Sequence, residues 1–158
     1  MSKKIWKYGF LFIIAFLFQL IFTRYIEILH WKPDLVLIVI VMFSIEFGPS
    51  YGSTAGFVTG IVGDLASSHL IGLGALSKSI TGYLSGGLSR HFKERSQFIL
   101  TLALTGFVHH VIYFFISTLG KEFSWRIILF VYIIPNLFYT ALVGAFIYYF
   151  LINWLKEE

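Results

Sequence analysis

Residues 51–88 read YGSTAGFVTGIVGDLASSHLIGLGALSKSITGYLSGGL, apolar enough to enter a bilayer yet built largely from small side chains. Gly52, Gly56, Gly60 and Gly63 recur at intervals of four, four and three, which puts them on one face of a helix. Without Cβ atoms along that face a second helix can approach closely, and tight van der Waals packing is what joins helices in lipid. The stretch therefore predicts an all-α fold assembled by close helix contacts. Packing within the chain is the first reading of the glycine face, and a homodimer or partner interface is the second. The same stretch carries an acid, Asp64, and a base, Lys78.

The flanking sequence is bulkier and even more apolar. Of 158 residues, 58% are hydrophobic and 13% charged, whereas a soluble domain is roughly half apolar and about a quarter charged. A folded chain of ~150 residues still exposes about 30% of its unfolded surface, so much of this one must have lipid as its solvent. The mean hydropathy of +0.82 agrees. Cysteine is absent, which excludes disulfides and thiolate metal sites. The net charge of +4 is read as membrane topology rather than as a nucleic-acid surface, because in a membrane protein the placement of basic residues matters more than their sum. The start, MSKKIWKYGF, is basic like a signal peptide, but no small-residue cleavage pattern follows, which predicts an uncleaved first span.

Six candidate spans follow, at 8–23, 33–47, 51–65, 72–88, 98–119 and 127–155, forming one polytopic membrane unit over residues 1–158. Pro33 suits the first turn of the second span, and Asp34 beside it favours the positive end of the helix dipole. Fifteen residues rise only ~22 Å against a hydrocarbon core of ~30 Å, so the third and fourth segments either cross with their turns at headgroup depth or form a re-entrant pair. Lys3, Lys4, Lys7, Arg90, Lys93, Arg95 and Lys156 fall on one side of a six-span arrangement, against Arg24, Lys32, Lys121 and Arg126 on the other. That bias predicts both termini in the cytoplasm. Trp6, Tyr8, Tyr25, Trp31, Tyr51, Trp125 and Trp154 lie near span ends as interfacial anchors. Pro135 is expected to kink the last span, with Asn136 repairing the break or pairing with another helix.

Few residues offer chemistry. Asp64 and Lys78 are read either as a functional, ion- or proton-coupled pair or as structural charges, a lysine being able to snorkel to an interface. His109 and His110 are adjacent and so point about 100° apart on a helix, which prevents both from ligating one metal. Glu46 stands alone, and Glu27 with His30 lacks the spacing that zinc requires. No nucleotide-binding loop, paired carboxylates or Ser-His-Asp arrangement occurs in a credible context, so neither an enzyme nor a cofactor is predicted.

Pro33-Asp34-Leu35, Gly56-Phe57-Val58-Thr59-Gly60, Gly63-Asp64-Leu65, Leu70-Ile71-Gly72, Ala75-Leu76 and Thr81-Gly82-Tyr83-Leu84 together resemble the pattern of the rod shape-determining protein MreD family. The motifs span residues 33–84; elsewhere the likeness is one of length and hydrophobic segments. Pro33, Gly56, Gly60, Asp64, Gly72 and Tyr83 are the motif positions, as helix-packing or partner-interface residues with no catalytic role. Lys78 stands outside the pattern, and Lys32 occupies a position where the family often has arginine. The resemblance implies a multi-pass protein of the bacterial cytoplasmic membrane in the cell-elongation machinery. It implies binding to the bitopic protein MreC and, indirectly, association with the actin-like filament protein MreB and the RodA-type glycosyltransferase with its penicillin-binding transpeptidase. It also implies a six-helix bundle similar to the substrate-binding subunits of energy-coupling-factor transporters. The leading expectation is a non-enzymatic scaffold; the alternative is a transporter subunit that holds a small ligand near Asp64 and Lys78.

Overall fold

A computed structural model describes residues 2–22, 31–67, 70–120, 122 and 124–156. Arg24, Tyr25, Glu27, His30 and Lys121, which entered the charge and anchor readings above, lie outside the described residues. The chain is all-helical: α1 is Ser2–Phe22, α2 Leu35–Phe47, α3 Pro49–Ala66, α4 Leu73–Leu88 and α5 Glu94–Ser117, with a 3-10 turn at Ser89–His91 before α5. The last helix, α6, opens with an α-turn at Trp125–Ile127, widens to a π-helix over Ile128–Ile133 and continues as α-helix over Ile134–Lys156. Among the described residues three stretches are long and apolar enough to cross a membrane: Lys3–Ile21, Ser96–Ser117 and Trp125–Leu155. Leu35–Phe47 is a shorter apolar helix. In α3 and α4, glycine and serine lower the hydropathy.

The helix α2 is the centre of the molecule. Every residue from Leu35 to Ser44 is buried, and α2 packs against α1, α3, α4, α5 and α6. Its sequence, LVLIVIVMF, has no polar face, which is the composition of a helix enclosed on all sides. Its first turn leaves backbone N–H groups that need acceptors, and its own cap and two neighbouring helices supply acceptors there and in the residues leading into it. Asp34 is the N-cap, its Oδ1 accepting from Leu37 N at 2.8 Å. Gln19 Oε1 of α1 accepts from Val36 N at 3.1 Å. From α6, Asn136 Oδ1 accepts from Lys32 N at 2.8 Å and Thr140 Oγ1 from Asp34 N at 3.2 Å. Pro33 thus precedes the cap instead of opening the helix, and it is fully buried.

A single residue, Gly48, joins α2 to α3; its φ of 97° lies in the region that side chains disfavour, and Pro49 then starts α3. Helices α3 and α4 form the most extensively packed pair in the molecule. A Cβ at Gly56 would overlap the backbone of Lys78 and Ser79, and one at Gly60 the backbone of Ala75 and Gly74. Gly52 meets Gly82 and Ser44 in the same way. The glycine face is thus occupied within the chain. Gly63 departs from it, because a Cβ there would meet nothing within 4 Å. Hydroxyls tie the neighbouring interfaces, with Ser53 and Ser79 2.9 Å apart between α3 and α4, and Ser85 donating to Thr105 Oγ1 at 2.9 Å between α4 and α5.

The expected disturbance at Pro135 takes the form of the π-helix that runs up to it. Proline has no N–H to offer the Val131 carbonyl one turn earlier, and that carbonyl accepts the Trp31 indole N–H at 2.9 Å. Trp31, expected as an interfacial anchor, therefore has a specific structural partner. At the other end of the bundle, Lys4 pairs with Glu46 at 2.9 Å and Lys7 Nζ donates to the Trp154 carbonyl at 2.8 Å. The start of α1 and the ends of α2 and α6 consequently lie together. Tyr8 packs edge-on against Phe43 and Phe47 beside them, and those two rings are tilted against each other, with centroids 4.7–5.6 Å apart.

Candidate functional site

The opposite end of the bundle holds a cavity of about 360 Å³. Its wall comes from the last turns of α1 and α3, the first turns of α2 and α4, the second half of α5 and Asn136 of α6. Of the six motif positions and Lys78, the residues Pro33, Gly60, Asp64 and Lys78 reach it. Gly56 and Gly72 serve packing and chain reversal instead, Gly72 having φ 98° at the start of α4. Tyr83 is 58% exposed on the outside of α4.

Asp64, near the end of α3, is only 4% exposed. Its Oδ2 accepts from Gly72 N at 2.8 Å and Ala75 N at 3.2 Å, and both its oxygens lie 3.0 Å from Gly74 N. A carboxylate here meets the orphan N–H groups and the positive dipole end of α4, so Asp64 caps a helix other than its own. Acid, reversal and receiving amides form one unit, and a Cβ at Gly74 would collide with the carboxylate. Asp64→Ala should lower stability by about 1–2 kcal/mol, the range for losing a helix cap. Asp64→Asn, which keeps one acceptor oxygen, should lose less. Thermal unfolding of the purified protein in detergent would measure both, and an Asp64→Ala midpoint equal to wild type would rule out the capping role.

Lys78 does not pair with Asp64. Its ammonium lies 2.7 Å from Asp34 Oδ2, with both side chains 13% exposed. His109 Nε2 sits 3.7 Å from the same carboxylate oxygen. Asp34 therefore does two things, one oxygen capping α2 and the other neutralising a lysine on α4. The sequence did contain a signal for this pairing, since a lysine at membrane depth requires an acid partner and Asp34 heads the neighbouring apolar segment. Only the fold shows that Asp34, and not the nearer Asp64, is within reach.

The imidazoles are a further feature. His109 and His110 are 3% and 8% exposed and line the cavity, their rings T-shaped with centroids 5.3 Å apart. His109 Nδ1 and His110 Nε2 are enclosed, with no hydrogen-bond partner among the described residues. No group of three or more His, Cys, Asp or Glu side chains suited to a metal ion occurs among the described residues. The arrangement can bind polar groups in a partly apolar recess, but it presents no nucleophile with an adjacent base.

The family model described as the rod shape-determining protein MreD matches residues 3–157. No curated protein and no solved structure matches the chain. A match from the first turn of α1 to the end of α6, over a chain whose apolar helices are those of a membrane protein, places this chain in the MreD family of rod shape-determining proteins.

Proposed function

We propose that the chain is a non-enzymatic scaffold of the bacterial cell-elongation machinery, one polytopic unit crossing the cytoplasmic membrane six times and binding an MreC-like bitopic protein. The observation behind this reading is the family match over nearly the whole chain, which ties the protein to rod shape determination. Through the MreC-like partner it would help to position peptidoglycan synthesis by a RodA-type glycosyltransferase and its transpeptidase, in register with an MreB-like filament. The six helices favour six crossings, because successive helices run between the Lys4–Glu46 end and the cavity end. The basic residues cluster at the first of these ends, which argues for cytoplasmic termini and a cavity in the outer half of the membrane. The transporter-subunit alternative, with its energy-coupling-factor likeness, draws support from the cavity alone.

Native cysteine is absent, so single cysteines can be read without background. Ser50→Cys and Ser89→Cys should label only from the cytoplasm and Thr118→Cys only from outside; Thr118→Cys labelling from the cytoplasm alone would overturn the topology. In mild detergent the protein should co-purify with the MreC-like protein, and its depletion should round rod-shaped cells. Co-purification with a nucleotide-driven motor and a small solute, in place of the MreC-like protein, would establish the transport reading instead.

A further inference from the structure

We infer that the cavity between α1 and α3 binds a net-neutral zwitterionic group, an ammonium and an anion on one small moiety, and that Gly63 keeps the space for it. Glycine weakens a helix interior, so each one in α3 calls for a reason. Gly52, Gly56 and Gly60 have theirs in the overlap that a Cβ would cause with α4 or α2. Gly63 has no such neighbour, and it borders the cavity. A larger side chain there would enter the cavity and leave the helix contacts as they are.

The wall specifies the ligand. About 360 Å³ lies at the small end of the range for small-molecule sites. Among the described residues the charged side chains of the lining balance, Lys32 and Lys78 against Asp34 and Asp64. A ligand with net charge would bring an uncompensated ion into a poorly solvated recess, which is costly. A zwitterion aligned antiparallel to the Lys78–Asp34 pair, which is 2.7 Å long, meets each charge with its opposite.

Phe16 and Leu20 of α1 make one side of the cavity apolar. Both α1 and α3 pack on α2, and neither packs extensively on the other. In a bilayer the gap between them would offer a route by which a headgroup could enter with its chains left outside. The same chemistry also exists in soluble form, as in glycerophosphoethanolamine. The inference uses the outer-half placement proposed above only for which leaflet supplies a lipid; it does not require the MreC-like partner.

The full-length protein, purified in detergent, would be analysed by native mass spectrometry with phosphatidylethanolamine, phosphatidylglycerol or glycerophosphoethanolamine added. Wild type should retain one phosphatidylethanolamine with at least tenfold preference over phosphatidylglycerol, and Gly63→Leu should lose that retention at least tenfold. Retention of glycerophosphoethanolamine as well would show that the headgroup suffices; retention of the intact lipid alone would identify the membrane as the source. Both results support the site. If Gly63→Leu does not fold, Thr59→Leu takes its place, since Thr59 also lines the cavity and, among the described residues, its hydroxyl bonds to carbonyls of its own helix, Ala55 and Gly56. Equal retention by a folded plug variant, preference for phosphatidylglycerol, or no retention of either zwitterion would overturn the inference. Co-purification with the MreC-like protein, measured on the same preparations, reports separately on the scaffold.

Discussion

Gly60→Val is expected to abolish the folded protein. The Cβ of any residue at position 60 would overlap the backbone of Ala75 and Gly74, and backbone cannot move aside as a flexible side chain can. Overpacking a core costs about 1–3 kcal/mol where side chains can adjust; here helices α3 and α4 must separate, so the loss should reach at least ~3 kcal/mol by the same reasoning. Since α3 and α4 are the most extensively packed pair, their separation would also displace Asp64 from the start of α4. Fluorescence-detected size exclusion after a heating series would show the loss as aggregation at temperatures that wild type survives. Gly63→Ala, on the same helix, should match wild type or exceed it by up to about 1 kcal/mol, the helix-propensity difference. The contrast also tests the dimer reading of the glycine face. A Gly60→Val protein that stays folded with an unchanged melting temperature would mean that the face is not an internal contact.

Lys78→Met should be nearly as damaging for a different reason. Removing one partner of a buried ion pair leaves the other charge uncompensated, at a cost of about 3–5 kcal/mol, whereas replacing both partners is often close to neutral. Asp34 would be the stranded charge, 13% exposed, with His109 3.7 Å away as a partial substitute. The double variant Asp34→Asn/Lys78→Met should therefore recover most of the loss. Asparagine is as good an N-cap as aspartate, so the cap on Leu37 survives in the rescue. A double-mutant cycle on unfolding in detergent gives the coupling directly. A double variant no more stable than Lys78→Met would show that the pair does not act as a unit.

These two experiments bear on features of very different visibility. The glycine spacing at 52, 56 and 60 predicted close helix packing because Cβ removal is a local property, written in the residue itself. Gly63 continued the same spacing and was assigned to the same face, yet it borders a cavity. Periodicity specifies the direction in which a residue points, but not whether a neighbour is present there. Asp64 was recognised as a motif position without its role, which depends on the chain reversing at Gly72 to bring amide donors onto its carboxylate. Lys78 was conspicuous as a charge in an apolar segment, and its partner lies 44 residues away on a different helix. Pro135 announced a break, but the tryptophan that occupies the exposed carbonyl lies 100 residues earlier.

By itself the sequence determined that this is an all-helical membrane protein, which of its residues are small enough for helices to touch, and which family it belongs to. Composition and spacing suffice for those because they depend on each residue's own volume, polarity and position along a helix. The tertiary structure alone decided that α2 is the enclosed axis of the bundle, that Asp34 and not Asp64 neutralises Lys78, and that a recess lined by two imidazoles lies between α1, α3 and α5. Each of these is a property of helices distant in sequence, since an ion pair and a cavity exist only once packing has set the distances between them.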